Sequence, residues 1–223
     1  MQAAERRWRF NGPEMEGAVA RWYAKVRRSG SQIEEYRRQA IELTKDLPKG
    51  ADVLEVAPGP GYLAIEMARL GRFRVTGLDI SHTFVQIASD NAREAGVSVD
   101  FQQGDVAVMP FAAESFDLVI CQAAFKNFVQ PGSALHEMHR VLRVGGTAVI
   151  QDMSSEATHA DIEKEVRGME LGWLSTLTTK ATLEMLKRRA YRPATFEHLV
   201  AASPFGTGAI QAEGISLVVH LEK

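Results

Sequence analysis

A short loop between an apolar run and a helical pattern contains the first residues that could do chemistry. Val53–Val56 is typical of a buried strand, and residues 57–61 read Ala-Pro-Gly-Pro-Gly before a helix begins near Tyr62. Glycines allow a ligand to approach the backbone closely, and the start of a helix offers free N–H groups. In open α/β sheets, ligands bind outside the carboxyl ends of the strands. The loop is therefore a candidate ligand-binding loop.

Two classes of cofactor suit such a loop. Gly59, Gly61 and Ala64 fit the dinucleotide pattern G-x-G-x-x-G/A, and Asp79, eighteen residues after Gly61, could hold a ribose diol as in an NAD enzyme. However, Glu55 is at the strand end beside the loop. A pyrophosphate oxygen about 6 Å from its carboxylate would be repelled by roughly 3 kcal/mol at an effective dielectric of about 20. A cationic ligand would be attracted instead.

A third acid strengthens the charge argument. Asp105 follows the third predicted strand, so the carboxyl ends of three parallel strands have Glu55, Asp79 and Asp105. Such an edge favours a cofactor with a diol, a base and a positive charge, and without phosphate. S-adenosylmethionine has an ammonium, a sulfonium, a ribose and an adenine, and we expect it as the cofactor. A nicotinamide oxidoreductase stays the alternative.

Five sequence motifs follow one another between residues 48 and 153. They are Glu55-x-Ala57-x-Gly59-x-Gly61; Gly77-Leu78-Asp79-Ile80-Ser81; Gly104-Asp105-Val106; the segment from Met109-Pro110-Phe111 to Ser115-Phe116-Asp117; and His139-Arg140-Val141-Leu142-Arg143-x-Gly145-Gly146. Together they resemble the class I S-adenosylmethionine-dependent methyltransferases. The similarity is greatest to the small-molecule branch that includes ubiquinone and menaquinone C-methyltransferases. One departure is Ala57, which stands where that family has its first loop glycine.

The resemblance implies a fold and a set of cofactor contacts. The fold is a Rossmann-like, doubly wound α/β sheet of seven strands with an antiparallel last strand, preceded by a helical extension and followed by a helical cap. The resemblance also implies contacts with the cofactor. Gly59 and Gly61 would contact the methionine moiety through their backbone, and Gln122 would lie near its methionyl end. Asp79 would bind the ribose hydroxyls, Ile80 would pack on the adenine, and Asp105 would accept from the adenine amino group. The same motifs add Glu55, Ala57, Gly104 and Val106 to the cofactor site. We predict no metal ligands.

The segment after the fourth strand is expected to line the acceptor side. It contains Gln122, Lys126 and Asn127, and it lacks the histidines that small-molecule relatives often have near these two last positions. Lys126 could pair with an anionic acceptor or act as a base if burial lowers its pKa, whereas the alternative is a structural lysine that caps the loop. Methyl transfer from a sulfonium is an in-line displacement, so a general base is optional.

Residues outside the core could enclose the ligands. Tyr23 and Trp22, on the first predicted helix, could close over the cofactor, although packing on the sheet explains them equally well. Further along, the helical stretch 154–190 offers an apolar set that could roof the acceptor or simply pack as core: Met169, Trp173, Leu174, Leu177, Met185 and Leu186. We count Tyr23 with Lys126 and Asn127 as candidate catalytic residues.

Periodicity predicts the elements that position these residues. Two helices come first, one opening near Pro13 and one with a capping box of Ser31 and Glu34. Strands and helices then alternate from residue 52 to 150, including strands at 97–101 and 147–150, which indicates parallel pairing. Mainly helical residues follow, with helix N-caps expected near Thr179 and Thr195, and 206–222 predicts two strands around residues 213–214.

Composition limits the classes of protein. The 223 residues are 45% hydrophobic with a formal net charge of -2, so a full core is available and nucleic acid is not an expected partner. A single cysteine allows no intrachain disulfide, and no apolar stretch is long enough to span a membrane. We expect a cytoplasmic protein with a small-molecule substrate and no membrane partner.

The sequence therefore predicts one class I methyltransferase domain over residues 1–223. Its parts are a helical N-terminal lid (1–47), a cofactor-binding core (48–153), a helical cap (154–204) and a C-terminal antiparallel hairpin (205–223). The predicted activity is in-line methyl transfer from S-adenosylmethionine to a small, aromatic or otherwise apolar acceptor. The alternatives are an S-adenosylmethionine-binding protein or subunit without catalysis and, less favoured, an NAD-dependent oxidoreductase.

Overall fold

The computed structural model describes residues 15–28, 30–169 and 173–223, without the side chains of residues 31 and 174. Its helices are α1 Gly17–Val26, α2 Gly30–Thr44, α3 Tyr62–Arg69, α4 His82–Ala95, α5 Pro131–Val141, α6 His159–Gly168, α7 Trp173–Lys187 and α8 Pro193–Ala201. Its strands are β1 Asp52–Val56, β2 Arg74–Asp79, β3 Asp100–Gln103, β4 Phe116–Gln122, β5 Leu142–Met153, β6 Ala209–Glu213 and β7 Ser216–Glu222. A 3-10 turn covers Phe125–Asn127.

All seven strands belong to one sheet in the order β3-β2-β1-β4-β5-β7-β6. The first five run parallel to one another, whereas β7 is antiparallel to both β5 and β6. The predicted doubly wound sheet, its antiparallel last strand and the hairpin at one edge are confirmed. From β1 the chain adds β2 and β3 on one side of the sheet and then β4 and β5 on the other. The carboxyl end of β1 is therefore the topological switch point, where ligands bind in open α/β sheets.

Alternation along β4 explains the two layers of helices. Leu118 and Ile120 pack with residues of α2 and α3, whereas Val119 and Cys121 pack with residues of α5 and α8. Successive side chains of a strand point to opposite faces, so a strand that is apolar throughout must be covered on both faces. Cys121 is one of these core residues and is fully buried.

The last of the five sequence motifs, residues 139–146, has a structural role at the amino ends of the strands. The Arg143 guanidinium binds Asp117 at 2.7 Å and Asp52 at 2.8 Å, which ties together the amino ends of β1, β4 and the strand β5 that Arg143 lies on. A Cβ on Gly146 would lie 2.9 Å from the Arg143 carbonyl oxygen and 3.0 Å from that of Asp117. The arginine and the glycine therefore serve strand packing away from the ligand edge.

Several predicted boundaries are wrong for local reasons. The strand expected at 97–101 begins at Asp100, because the Val97 N–H still bonds to the Ala92 carbonyl as α4 ends. The strand expected at 147–150 is β5, which extends from Leu142 to Met153 and pairs with β4 and β7.

The helix cap predicted near Thr179 is also wrong, since Thr179 lies inside α7, whereas α8 begins at Pro193, two residues before Thr195. The structure places a capping box at Thr158 instead, where Thr158 and Asp161 bond reciprocally at the start of α6. The predicted helix start at Pro13 and the Ser31 half of the predicted capping box lie outside the described residues and side chains.

The α6–α7 region buries only part of the apolar set that was predicted there. Leu186 packs on a small cluster around Ile162 and Val166. In contrast, Trp173 is 77% exposed and Leu177 is 64% exposed, and Met169 and Met185 are exposed as well. Core packing is therefore wrong for these four residues, and the side chain of Leu174 lies outside the described part of the chain.

A candidate cofactor site at the carboxyl ends of β1, β2 and β3

The loop after β1 is shaped by left-handed backbone. Ala57, Gly59 and Gly61 have φ values of 53°, 55° and 77°. A Cβ on Gly61 would lie 2.6 Å from the Phe101 ring and 2.8 Å from Ala88 Cβ, whereas one on Gly59 would meet nothing within 4 Å. Gly61 is therefore required for both packing and conformation, and Gly59 borders open space. Ala57 adopts the same left-handed region at a cost of about 1 kcal/mol, so the departure from glycine preserves the backbone path.

Asp79 fastens this loop to the turn after β2. Its Oδ2 accepts the Gly59 N–H and its Oδ1 accepts the Ser81 N–H, both at 2.9 Å. The side chain is almost completely buried. Burial raises the pKa of Asp79 to about 6, against the lowering effect of the Ser81 and Gly59 N–H groups. Asp79 thus holds the glycine loop in place and is the predicted ribose partner.

Glu55 lies directly beneath the same loop. The residue is 3% exposed, and its Oε2 has no hydrogen-bond partner in the described part of the structure. Burial raises its pKa to about 8, although the Ala64 N–H favours the ionised form, and the Asp79 charge adds to the increase. A buried carboxyl with a free oxygen is costly unless a ligand supplies a donor or a positive charge. The pair Glu55 and Asp79 therefore fits a ligand that has cationic or hydrogen-bond-donating groups.

The end of β3 completes the edge. The Gly104 N–H bonds to the Asp79 carbonyl at 2.9 Å, and a Cβ there would lie 2.7 Å from Leu78 Cδ1. Asp105 is half-buried, and its Oδ1 accepts the Ala107 N–H at 2.9 Å. Ile80 is half-buried beside Asp79, and Val106 packs against the main core. The structure thus brings the three predicted acids to one edge of three adjacent strands.

Glu16 is a site residue that sequence reasoning missed. Its carboxylate accepts the His82 N–H at 2.9 Å, the Thr83 N–H at 3.1 Å and the Thr83 hydroxyl, which together cap the start of α4. Partial burial opposes ionisation, but the bonds from Thr83, Ser81 and His82 hold the pKa of Glu16 below its usual value. A helix start attracts anions, and this one is already filled by a carboxylate. No local pattern pointed to Glu16, because its partners are 66 and 67 residues away.

Tyr23 lies on the α4 side of this edge. Its ring packs edge-on against Phe84 with centroids 5.9 Å apart, and the Arg27 guanidinium lies between the Tyr23 and Tyr36 rings at 6.0 and 5.7 Å. The Tyr62 hydroxyl donates to the Ala24 carbonyl at 2.9 Å and so fastens α1 to α3. Trp22 is 65% exposed. No hydrogen bond or ring contact within the described chain joins Tyr23 to Lys126 or Asn127.

The ammonium of Lys126 binds groups of the protein itself. Its Nζ donates to Asp152 Oδ1 and to the Ala123 carbonyl, both at 2.6 Å, and its backbone N–H donates to Asp152 Oδ2 at 3.0 Å. Both side chains are almost fully buried. This geometry is that of the structural alternative, a lysine that fixes the loop after β4. Asn127 follows in the 3-10 turn, is half-buried, and bonds through its backbone to Ala124.

Three glutamines meet beside this loop. Gln122 Nε2 donates to Gln151 Oε1 at 2.6 Å and to Gln39 Oε1 at 3.1 Å, and Gln39 Nε2 donates to Glu35 at 2.9 Å. Gln122 was a predicted site residue, whereas Gln39, Gln151 and Glu35 were missed. Three different elements contribute them, so only the packed fold brings these amides together.

Comparisons with known proteins agree with this geometry. The profile of the methyltransferase domain family matches residues 54–150. Residues 54–150, somewhat less than half of the chain, are therefore similar to a methyltransferase domain. An S-adenosylmethionine-dependent methyltransferase from Aquifex aeolicus superposes on the structure with a TM-score of 0.69 at 16% identity, over 90% of this chain and 96% of that one.

Two curated relatives match part of the chain in sequence. A demethylmenaquinone methyltransferase from Chlorobaculum parvum is 38% identical over 98 residues, which are 44% of this chain and 39% of that protein. A ubiquinone/menaquinone biosynthesis C-methyltransferase from Bdellovibrio bacteriovorus is 37% identical over 102 residues, which are 45% of this chain and 43% of that protein. The match thus spans about two fifths of each of these relatives.

The Aquifex aeolicus protein is named for S-adenosylmethionine, and the residues at the strand ends of this chain fit that ligand. The free oxygen of Glu55, the buried Asp79 and the open space over Gly59 provide the charge and the room that this ligand needs. The fold alone does not set the reaction, since the cyclase SpnF shares it with a TM-score of 0.58. No helix in the described ranges is long and apolar enough to cross a bilayer. The cytoplasmic location stays a prediction.

Proposed function

We propose that this protein transfers the methyl group of S-adenosylmethionine to a small, apolar acceptor. The observation that carries the proposal is the buried pair Glu55 and Asp79 around a left-handed loop at the topological switch point. Two raised carboxyl pKa values at one ligand edge are typical of a functional site. A cationic cofactor relieves the cost of burying these acids, whereas a pyrophosphate would increase it.

The proposed cofactor contacts follow the residues at that edge. Asp79 would hold the ribose hydroxyls, Glu55 would lie near positive charge, Ile80 and Asp105 would hold the adenine, and Gln122 would lie near the methionyl end. Ala57, Gly59 and Gly61 would line the methionine moiety through their backbone, with Gly104 and Val106 supporting the loop after β3. When bound, S-adenosylmethionine supplies a methyl group that its sulfonium makes electrophilic. The protein's contribution is then to bind, to orient and to exclude water.

We propose a quinone-like or phenolic aromatic molecule as the acceptor. The two curated relatives are named for ubiquinone and menaquinone methylation. Near the loop after β4, the half-buried rings of Phe128 and Tyr191 pack on the buried Phe125 ring with centroids 5.2 and 5.8 Å away. The glutamine cluster offers amide groups for a carbonyl or hydroxyl oxygen of the acceptor. The segments 1–47 and 154–204 would act as lid and cap over the two ligands.

Lys126 has a positioning role in this proposal. Its ammonium already binds Asp152 and a backbone carbonyl, so it is not free to remove a proton from an acceptor. Tyr23 and Asn127 would act by enclosing the ligands. The reaction therefore depends mainly on alignment and desolvation, as in-line transfer from a sulfonium allows.

Calorimetric titration of the purified protein tests the cofactor assignment first. S-adenosylmethionine and S-adenosylhomocysteine should bind, and NADH should not. The buried acids Glu55 and Asp79 lie at the glycine loop, where the pyrophosphate of a dinucleotide would bind, and their negative charge disfavours NADH there. Binding of NADH alone would refute the proposal. Binding of both adenosyl ligands, without methyl transfer to any of a panel of quinols and phenols, would favour the non-catalytic alternative.

A further inference from the structure

A cavity lies outside the cofactor edge, between α7, α8 and the segment after β5. Its volume is about 570 Å³, and Lys187, Arg188 and Arg192 are among the residues that line it. None of the three forms an ion pair or a hydrogen bond through its side chain in the part of the chain that the structure describes. Three unpaired cations around one concave space create a positive potential that attracts small anions.

The polar groups of the cavity support the same conclusion. Ser155 also lines it, and the Ser155 Oγ is buried without a hydrogen-bond partner among the described residues. A buried hydroxyl without a partner costs free energy that a ligand oxygen can recover. The first turn of α8 borders the cavity, and no side chain caps that helix, which adds free N–H groups to the cations.

The acidic groups nearby do not cancel this charge. Glu184 lines the cavity, but its carboxylate is bound to His159 Nδ1 at 3.0 Å. The pKa of Asp161 is lowered by its hydrogen bonds with Thr158 in the capping box of α6 and, to a smaller extent, by the charge of Lys187. Three cations against one acid among the lining residues leave a net positive charge, even if the charge of Asp161 offsets that of Lys187 in part.

The backbone makes this cavity a fixed feature of the fold. The Ser155 N–H donates to the Tyr191 carbonyl at 3.1 Å, and the neighbouring Ser154 pairs with Tyr191 in a parallel bridge. The Tyr191 ring in turn packs on Phe125 and Phe196. The wall that holds Ser155 and Arg192 is therefore anchored to the core beneath the loop after β4.

We propose that this cavity binds a small molecule through an oxyanion group, a phosphate or a carboxylate. The cations and the Ser155 hydroxyl supply the donors that such a group requires. This site is separate from the edge formed by Glu55, Asp79 and Asp105, and the proposal does not depend on methyl transfer.

Inorganic phosphate and acetate are the probes that test it. Each is titrated into the full chain in a phosphate-free buffer, with sodium chloride balancing the ionic strength, and binding is measured by calorimetry and by the shift of the melting temperature. At least one probe should bind more tightly than chloride. Arg188→Gln and Lys187→Gln should each weaken that binding about tenfold, because each removes one charge-assisted contact.

Arg189→Gln is the matched control, since Arg189 is an exposed arginine of the same turn that does not line the cavity. It should bind the probe as the unmodified protein does. Both changed residues lie at the surface, so the variants should fold, and an unchanged titration with S-adenosylmethionine would show that the cofactor edge is intact. Absence of binding beyond the chloride control, or equal weakening by Arg188→Gln and Arg189→Gln, would overturn the proposal.

Discussion

Cofactor binding should release a proton from Glu55. With a pKa of about 8, this carboxyl is about nine tenths protonated at pH 7 in the ligand-free protein. A unit positive charge about 6 Å away, at an effective dielectric of about 20, favours the ionised form by roughly 3 kcal/mol, or about two pKa units. The bound protein would then be mostly ionised at Glu55. We expect about 0.8 proton to be released per S-adenosylmethionine bound at pH 7.

Calorimetry in buffers of different ionisation enthalpy measures this number directly. The observed enthalpy should vary with the buffer at pH 7 and much less at pH 9, where Glu55 is already ionised before binding. Glu55→Gln keeps the shape of the side chain and removes the titrating group, so the buffer dependence should disappear in that variant. Equal proton release by Glu55→Gln and the unmodified protein, or none by either, would refute the assignment of positive charge to this position.

The same pKa predicts how stability depends on pH. The pKa of Glu55 is raised by burial from its usual 4.5, which applies to the unfolded chain, to about 8 in the folded protein. Between these values the folded state holds a proton that the unfolded state releases, so stability falls by about 1.4 kcal/mol per pH unit and levels off above pH 8. Urea denaturation from pH 5 to 9 should show this loss in the unmodified protein and a flatter profile in Glu55→Gln. Identical profiles would contradict the burial of an ionisable group at this position.

Three further substitutions test other parts of the structure. Asp79→Ala should weaken S-adenosylmethionine binding by about 1–3 kcal/mol, because two charge-assisted hydrogen bonds to the ribose are lost. Titration calorimetry measures this affinity, and an unchanged value would show that Asp79 does not contact the cofactor. Lys126→Ala should lower the free energy of unfolding by about 3–5 kcal/mol, because it leaves the Asp152 carboxylate buried without its partner. The double variant Lys126→Met with Asp152→Leu should recover part of that loss, as measured by urea denaturation. A loss of turnover in Lys126→Ala at unchanged stability would instead favour direct catalysis. Tyr62→Phe should cost about 1 kcal/mol and expose α1 to trypsin, since it deletes the bond to the Ala24 carbonyl; unchanged proteolysis would show that this bond does not fasten α1.

The alternation of short apolar runs with helical patterns was sufficient to predict the doubly wound sheet. The glycine loop and the acids Glu55, Asp79 and Asp105 could be placed at one edge for the same reason, because parallel strands carry their carboxyl ends to one side. These are properties of local periodicity and of strand direction, and the sequence contains both.

Contacts between residues far apart in the chain required the tertiary structure. Glu16 reaches the start of α4 across 66 residues, and Lys126 meets Asp152 across 26. Whether a lysine after β4 faces a substrate or an internal carboxylate depends on a partner that sequence spacing does not reveal. The desolvation that raises the pKa of Glu55 likewise arises only when both faces of the sheet are covered. Sequence patterns thus determined the scaffold and its ligand edge, and packing decided the charge state and the freedom of the side chains there.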